Sequence, residues 1–246
     1  MSLARIAFCT VPLVIAGVAY WANGAHQASA DSPAGKKPAA ATGTIVGTVT
    51  FEGTPPKRAP IKRDSDPLCA ATPRLSEDVV VENGALRDVH VRIAIGTAGT
   101  HEAPGQPVTV TQHECMYEPR VVGVMAGQDV LVVNSDATYH NVRGAKGKRT
   151  LWNLSQPAKA PPLRRTNLGK PGDVVSLHCD VHPWMRAYAV INDHPFFAVT
   201  GADGAFKLDG VPPGTYQLEA WHATLGTKTV DVVVKAGKSA KASFAY

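Results

Sequence analysis

Two short β-rich runs, Val174–His178 and Ala187–Ile191, are separated by a loop that contains Cys179-Asp180-Val181-His182-Pro183-Trp184-Met185. A thiol, an imidazole and a thioether thus fall within seven residues. They can face one point only if the flanking runs are held as neighbouring strands, so this loop constrains the fold more than any other stretch. The donors are soft. A thiolate, two imidazoles and a weak axial thioether form the set that suits copper, so the loop supplies three donors and asks for a second histidine from elsewhere. His140, in Thr138-Tyr139-His140-Asn141-Val142, is the candidate. It lies 39 residues before Cys179, far enough for an intervening hairpin and a return to the same end of a sandwich.

The rest of the chain agrees with a sheet fold. Beyond the first residues no run has a 3.6-residue apolar period of helical length. Thr44–Phe51 is rich in β-branched residues and closes on Gly53 and Pro55-Pro56. Asp78–Val81 and Leu86–Ile95 flank Asn83-Gly84, a pair that supplies the positive φ a tight hairpin turn needs. Val108–Gln112, Arg120–Met125 and Asp129–Asn134 continue the pattern between Gly and Pro. Strands at this spacing predict an all-β, antiparallel sandwich. From Asn141 to His178 the pattern loosens around one short strand, Thr150–Leu154, and Lys57–Arg74 reads as a loop pinned at Cys69. Phe196–Thr200, Ala205–Leu208, Thr215–Trp221, Thr227–Val234 and Ser239–Phe244 then predict a second, smaller β module. Five strands are few for a sandwich, so this module is expected to pack on the first or to borrow the strand at Ile45–Phe51.

The N-terminus carries one positive charge, then a nearly unbroken apolar run from Ile6 to Ala22, then Ala28-Ser29-Ala30. That order predicts a secretory signal peptide over 1–30 and export to the periplasm or outside the cell; the alternative is a retained anchor. An Ala-, Pro- and Lys-rich tether over 31–42 follows, then a first domain over 43–191 and the small module over 192–246. Formal net charge is +5, too modest for a nucleic-acid footprint, and no nucleic-acid motif accompanies it. Between Asn141 and His178 eight Lys or Arg, from Arg143 to Lys170, stand against a single acid, Asp173, which suggests either a solubilising surface or a docking face for an acidic partner.

Cleavage would remove Cys9 and leave Cys69, Cys115 and Cys179. In an oxidising compartment two thiols usually pair and the third needs a reason to stay free. If a metal holds Cys179, Cys69 and Cys115 remain as a disulfide; the alternative is a structural bridge from Cys179 to one of them.

Pro171-Gly172-Asp173 through Cys179-x-x-His182-x-x-Met185, with His140-Asn141-Val142 upstream, resembles the ligand segments of the amicyanin and plastocyanin cupredoxins. The resemblance covers Arg120 to Ile191. It implies a Greek-key sandwich binding one type 1 copper ion, with His140, Cys179 and His182 equatorial and Met185 axial. Asn141 would tie the ligand loop to the His140 strand, and Pro183 and Trp184 would flank an exposed His182 edge where a redox partner docks. Trp184 in place of a smaller aromatic, the basic stretch and the long front section depart from that pattern. Thr200–Phe206 and Val211–Tyr216 resemble carboxypeptidase regulatory-like modules of prealbumin type, which carry no implied peptidase activity.

Other chemistries fit these residues less well. A binuclear copper centre needs a second thiolate where Pro183 stands. Closed zinc sites prefer several thiolates and rarely take Met, and a Cys-His nucleophile pair has no use for Met185. His178 should point away from the Cys179 face, because neighbours on a strand alternate. His90, His101, His194 and His222 read as surface or satisfied core residues. The expected role is therefore one-electron transfer without enzymatic turnover. The alternative is a non-redox copper-binding protein, or a β protein anchored to a surface or complex.

Overall fold

The computed structural model describes residues 41–99 and 101–246. The expected leader, and all of the expected tether except Ala41 and Thr42, lie outside the described residues. Nearly all regular structure is β. The front segment contributes β1 (Gly43–Thr50), a single helical turn α1 (Pro67–Ala70), β2 (Val81–Glu82), β3 (Ala85–Leu86) and β4 (His90–Ile93). Nine strands follow: β5 (Val108–His113), β6 (Met116–Glu118), β7 (Val121–Met125), β8 (Val130–Asn134), β9 (His140–Lys146), β10 (Arg149–Gln156), β11 (Leu163–Arg165), β12 (Val174–His178) and β13 (Arg186–Asn192). The chain ends with β14 (Phe197–Val199), β15 (Ala205–Val211), β16 (Gly214–His222), β17 (Gly226–Val234) and β18 (Ser239–Ala245).

Two cores result, and the chain passes from the first to the second and back. Strands β5 to β13 form two sheets, ordered β10-β9-β12-β13-β7 and β11-β8-β5-β6. They enclose Val110, Tyr117, Val132, Val142, Val175, Leu177 and Ile191. The front and end strands form the other pair of sheets. In one, β1 lies between β15, antiparallel, and β18, parallel, and also meets β3; the other is ordered β14-β4-β16-β17. Their core holds Ile45, Leu86, Ile93, Phe206, Leu218 and Phe244.

The boundary expected at residue 43 for the first domain therefore shifts. Gly43–Ile93 does not extend the core of β5 to β13 but completes the end module, which borrows β1 as well as β2 to β4. The reason is edge pairing. Without β1, β15 and β18 would lack their shared neighbour and two rows of backbone donors and acceptors would go unpaired. Close approach makes β1 specific for this slot: a Cβ on Gly47 would sit 1.6 Å from the Ala242 carbonyl oxygen.

Three differences from the sequence reading concern single elements. The tight Asn83-Gly84 turn is present, with φ of 51° and 80°, but its strands are two residues each. β9 is a full strand where the pattern loosens, and Lys57–Arg74 contains α1. Asp66 begins this turn as its N-cap, with Pro67 in the first turn.

Candidate metal centre

Strand alternation brings Cys179 to the interior. Val175 and Leu177 on β12 are buried in the core and Cys179, two residues on, is 2% exposed. β12 pairs with β9 through His178↔Arg143 and Leu177↔Gly144, so the start of β9, with His140, lies at the same end as the loop after β12. That loop is a turn closed at both ends: the Met185 N–H donates to the His182 carbonyl at 2.9 Å, and the Cys179 N–H to the Met185 carbonyl at 3.4 Å.

The structure brings His140, Cys179 and His182 together, all buried. Cys179 Sγ lies 3.8 Å from His140 Nδ1 and 3.7 Å from His182 Nδ1, and the two nitrogens are 2.9 Å apart. Donors about 2.0–2.3 Å from one ion stand roughly 3.2–3.8 Å from each other. The sulfur–nitrogen distances fall in that range and the nitrogen–nitrogen distance is slightly shorter. Met185 is fully buried in the same core cluster as Cys179. His178 lies outside the cluster, half-buried, with Nε2 2.8 Å from Ser176 Oγ.

Both imidazoles are oriented from behind by carboxylates. His140 Nε2 donates to Asp136 Oδ2 at 2.8 Å and His182 Nε2 to Asp66 Oδ2 at 3.2 Å. With the protons on Nε2, both Nδ1 lone pairs and the Cys179 sulfur face one another, an arrangement that a shared cation satisfies. The donor set fits copper: one thiolate, two neutral imidazoles and a buried thioether at the end of the loop. Electrostatics couple the Cys179 thiol to the His140 ring. Burial opposes charge on both His140 and Cys179. Hydrogen bonds outweigh it, from Asp136 and Cys179 to raise the His140 pKa, and from His140 and nearby backbone to lower that of Cys179. Burial and the neighbouring His140 lower the His182 pKa, with Asp66 offsetting part of that effect.

Asn141 bridges the two ligand segments. Its Oδ1 accepts from the Asp180 N–H at 2.7 Å and the Cys179 thiol at 3.4 Å, while Nδ2 donates to Asn153 and Asp180. Tyr117 reaches the same place from β6, its hydroxyl directed at the carbonyls of Asn141 and His178.

Cys69 and Cys115 form a disulfide and Cys179 is the free thiol among the described cysteines. The bridge ties the front segment to the metal end of the second core. Arg63 there donates to the Thr72 and Glu114 carbonyls, and Arg74 pairs with Glu114.

This cap alters one expectation. His182 is 1% exposed; Asp66 covers the imidazole edge that the cupredoxin resemblance leaves open. Pro183 is exposed, but Trp184 is half-buried, 5.1 Å from the His182 ring, with its N–H bonded to the Cys115 carbonyl and the Arg63 guanidinium over its face. Asp66, Asp136 and Thr138 are the site residues that the sequence reading did not single out. Asp-Pro at 66–67 is a helix-start signal that marks Asp66, and Asp136 stands four residues before His140, but neither signal says what the carboxylate will face.

The class that fold and site define is an all-β protein of two sandwich-like modules, one of them holding a buried Cys-His-His cluster. Among solved structures, a reduced Cu(I) amicyanin variant is similar at 24% identity and TM-score 0.31, over 41% of this chain and 99% of that one. Amicyanin from Paracoccus versutus (Thiobacillus versutus) is similar at 21% identity and TM-score 0.31, over 41% and 98%. A copper-containing nitrite reductase from Thermus scotoductus is similar at 21% identity and TM-score 0.31, over 42% of this chain but only 25% of its own length. Residues 170–242 match a family model described as polysaccharide lyase family 4, domain II. That match begins just before β12 and so spans parts of both cores. No curated protein matches the chain. Among the described residues no helix is long and apolar enough to cross a membrane.

Proposed function

We propose that this chain is an exported type 1 copper protein that carries single electrons and catalyses no substrate turnover. His140, Cys179 and His182 would hold one copper ion, with Met185 as the weak axial donor. The observation that carries this reading is the convergence of the Cys179 sulfur and two Nδ1 atoms at 2.9 to 3.8 Å inside a buried core. A copper ion so held supplies a one-electron couple. The protein supplies a donor set fixed in advance by Asp136, Asp66 and Asn141, so little has to move when the electron arrives or leaves.

Docking is proposed on the surface around Pro183, with Val181 and Tyr139 nearby in sequence to the ligands and 49% and 43% exposed. The basic stretch would steer an acidic partner, with a smaller free charge than its composition suggests. Arg143, Lys146 and Arg164 are already paired with Asp180, Asp173 and Asp129, and Arg165 stacks on Trp152. Lys148, Arg149, Lys159 and Lys170 make no ion pair among the described residues and would supply the field. The front-plus-end module, which we read as prealbumin-like, would serve to present the cap over His182.

The test is to add Cu(II) to the purified protein and record its visible spectrum. An intense band towards the red that disappears on reduction is expected, together with its loss in Cys179→Ser. A colourless or irreducible complex, or an unchanged band in Cys179→Ser, overturns the electron-carrier reading in favour of non-redox copper binding.

A further inference from the structure

Each imidazole of the Cys-His-His cluster has a carboxylate on its far nitrogen, and each carboxylate is held beside one half of the same disulfide. Asp66 is pinned on both oxygens. Its Oδ1 accepts from the N–H groups of Leu68 and Cys69 at 2.8 and 3.3 Å, and its Oδ2 accepts from the Thr138 hydroxyl at 2.8 Å and His182 Nε2 at 3.2 Å. Asp136 Oδ2 accepts from the Cys115 N–H at 2.9 Å and from His140 Nε2 at 2.8 Å. Cys69 is bonded to Cys115. The connection therefore runs from His182 through Asp66, the disulfide and Asp136 to His140. Asp66 comes from the front segment, outside the strands that build the site, and it lies on the Nε2 side of His182, so it is a partner of the ring and not a fourth donor.

We propose that Asp66 and Asp136 are a matched pair of positioning residues that act through His182 and His140 to bias the bound copper towards its oxidised state, with the Cys69–Cys115 bridge fixing their places. This rests on the copper reading above. A carboxylate bonded to the far nitrogen makes an imidazole a more basic ligand, and the two negative charges sit against a buried cluster where screening is weak. Both effects favour Cu(II) over Cu(I), because the ion of higher charge gains more from a basic ligand and a nearby anion. The Thr138 hydroxyl moderates one of them, since it donates to the same oxygen that accepts from His182.

The experiment is a redox titration of copper-loaded wild type, Asp66→Asn, Asp136→Asn and Thr138→Val, with Cu(II) and Cu(I) affinities measured by competition. Asparagine caps a helical turn as well as aspartate does, so Asp66→Asn removes the charge and keeps the cap of α1. Each Asp→Asn change should lower Cu(II) affinity on the order of tenfold relative to Cu(I), raising the potential by about 59 mV for this one-electron couple. Thr138→Val frees the Asp66 oxygen and should move the potential the opposite way, a sign that loss of structure does not produce. If wild type is blue and the Asp→Asn potentials are unmoved, or if Thr138→Val shifts the potential upward like Asp66→Asn, the proposal is overturned and the copper reading survives. If wild type shows no reducible blue complex, the copper reading itself has failed.

Discussion

His90 gives a stability prediction that can be worked from the structure and that involves no metal. The ring sits on β4, 0% exposed, where the front-plus-end module meets the second core. Phe197 stacks on it at 5.5 Å, and the Asn192 side-chain amide donates to its Nε2 at 3.3 Å. β7 passes so close that a Cβ on Gly123 would stand 3.0 Å from Nε2. Burial, with Arg92 and His194 adding repulsion, pushes the His90 pKa down from 6.5 to about 3. A group whose folded pKa is depressed in this way is neutral in both states above pH 6.5, where it imposes no penalty. Below that the unfolded chain takes up a proton that the folded chain refuses, so stability falls with pH until the folded pKa is reached. The loss is about 2 kcal/mol by pH 5 and roughly 3 kcal/mol by pH 4. His222, pushed down to about 4 mainly by burial, adds a slope of the same sign. Urea unfolding at pH 8 and pH 5 on wild type and His90→Gln measures the His90 share. Wild type should lose about 2 kcal/mol more than the variant over that interval. Equal losses in the two proteins would refute the assignment of a neutral, proton-refusing histidine at this seam.

Two further outcomes concern the cap and the ligand loop. Replacing both Cys69 and Cys115 by Ala should destabilise the protein by about 4 kcal/mol in chemical unfolding, from loop entropy alone, because the bridge closes a separation of 46 residues; no change in the unfolding midpoint would show that the cap is held by its other contacts. Asn141→Ala leaves the Asp180 N–H without its acceptor and should weaken copper binding on the order of tenfold, as read by chelator competition, with the fold retained.

Strand content was legible from β-branched runs and turn residues, and several strands also alternate cleanly: Val175, Leu177 and Cys179 are buried while their neighbours are less so. The His140, Cys179 and His182 triplet could be named because metal chemistry restricts the donor types and the loop places two of them three residues apart. Long-range pairing was legible only in part. The strand count of the end module allowed it to borrow Ile45–Phe51, but nothing local in Ile45–Val49 says that β1 will lie between β15 and β18, partners about 160 and 195 residues away. Asp66 was opaque for the same reason. It reads as a turn former, and its second oxygen meets His182 where a disulfide 46 residues in span, with other contacts, holds α1 at the metal end.

That arrangement also explains why the cap needs covalent help. β13 runs from Arg186, beside the ligand loop, to Asn192, whose side chain bonds His90 at the seam. Seven strand residues cover about 20 Å, so the cluster and His90 lie towards opposite ends of β13, with Trp221 of the other module against Tyr188 in between. The front segment leaves the first module after Thr50 and returns to it at Val81, and between these points it reaches the metal end with only α1 and the single Pro60↔Leu75 bridge as regular structure. Such a segment cannot be held by a sheet ladder. It is held instead by the Cys69–Cys115 bond, by Arg63 and Arg74 on Glu114, and by Asp66 itself. Asp66 bonds His182 and Thr138, and Arg63 lies over Trp184 beside the ligand loop. Held there, the segment sets the Asp66 carboxylate 3.2 Å from His182 Nε2.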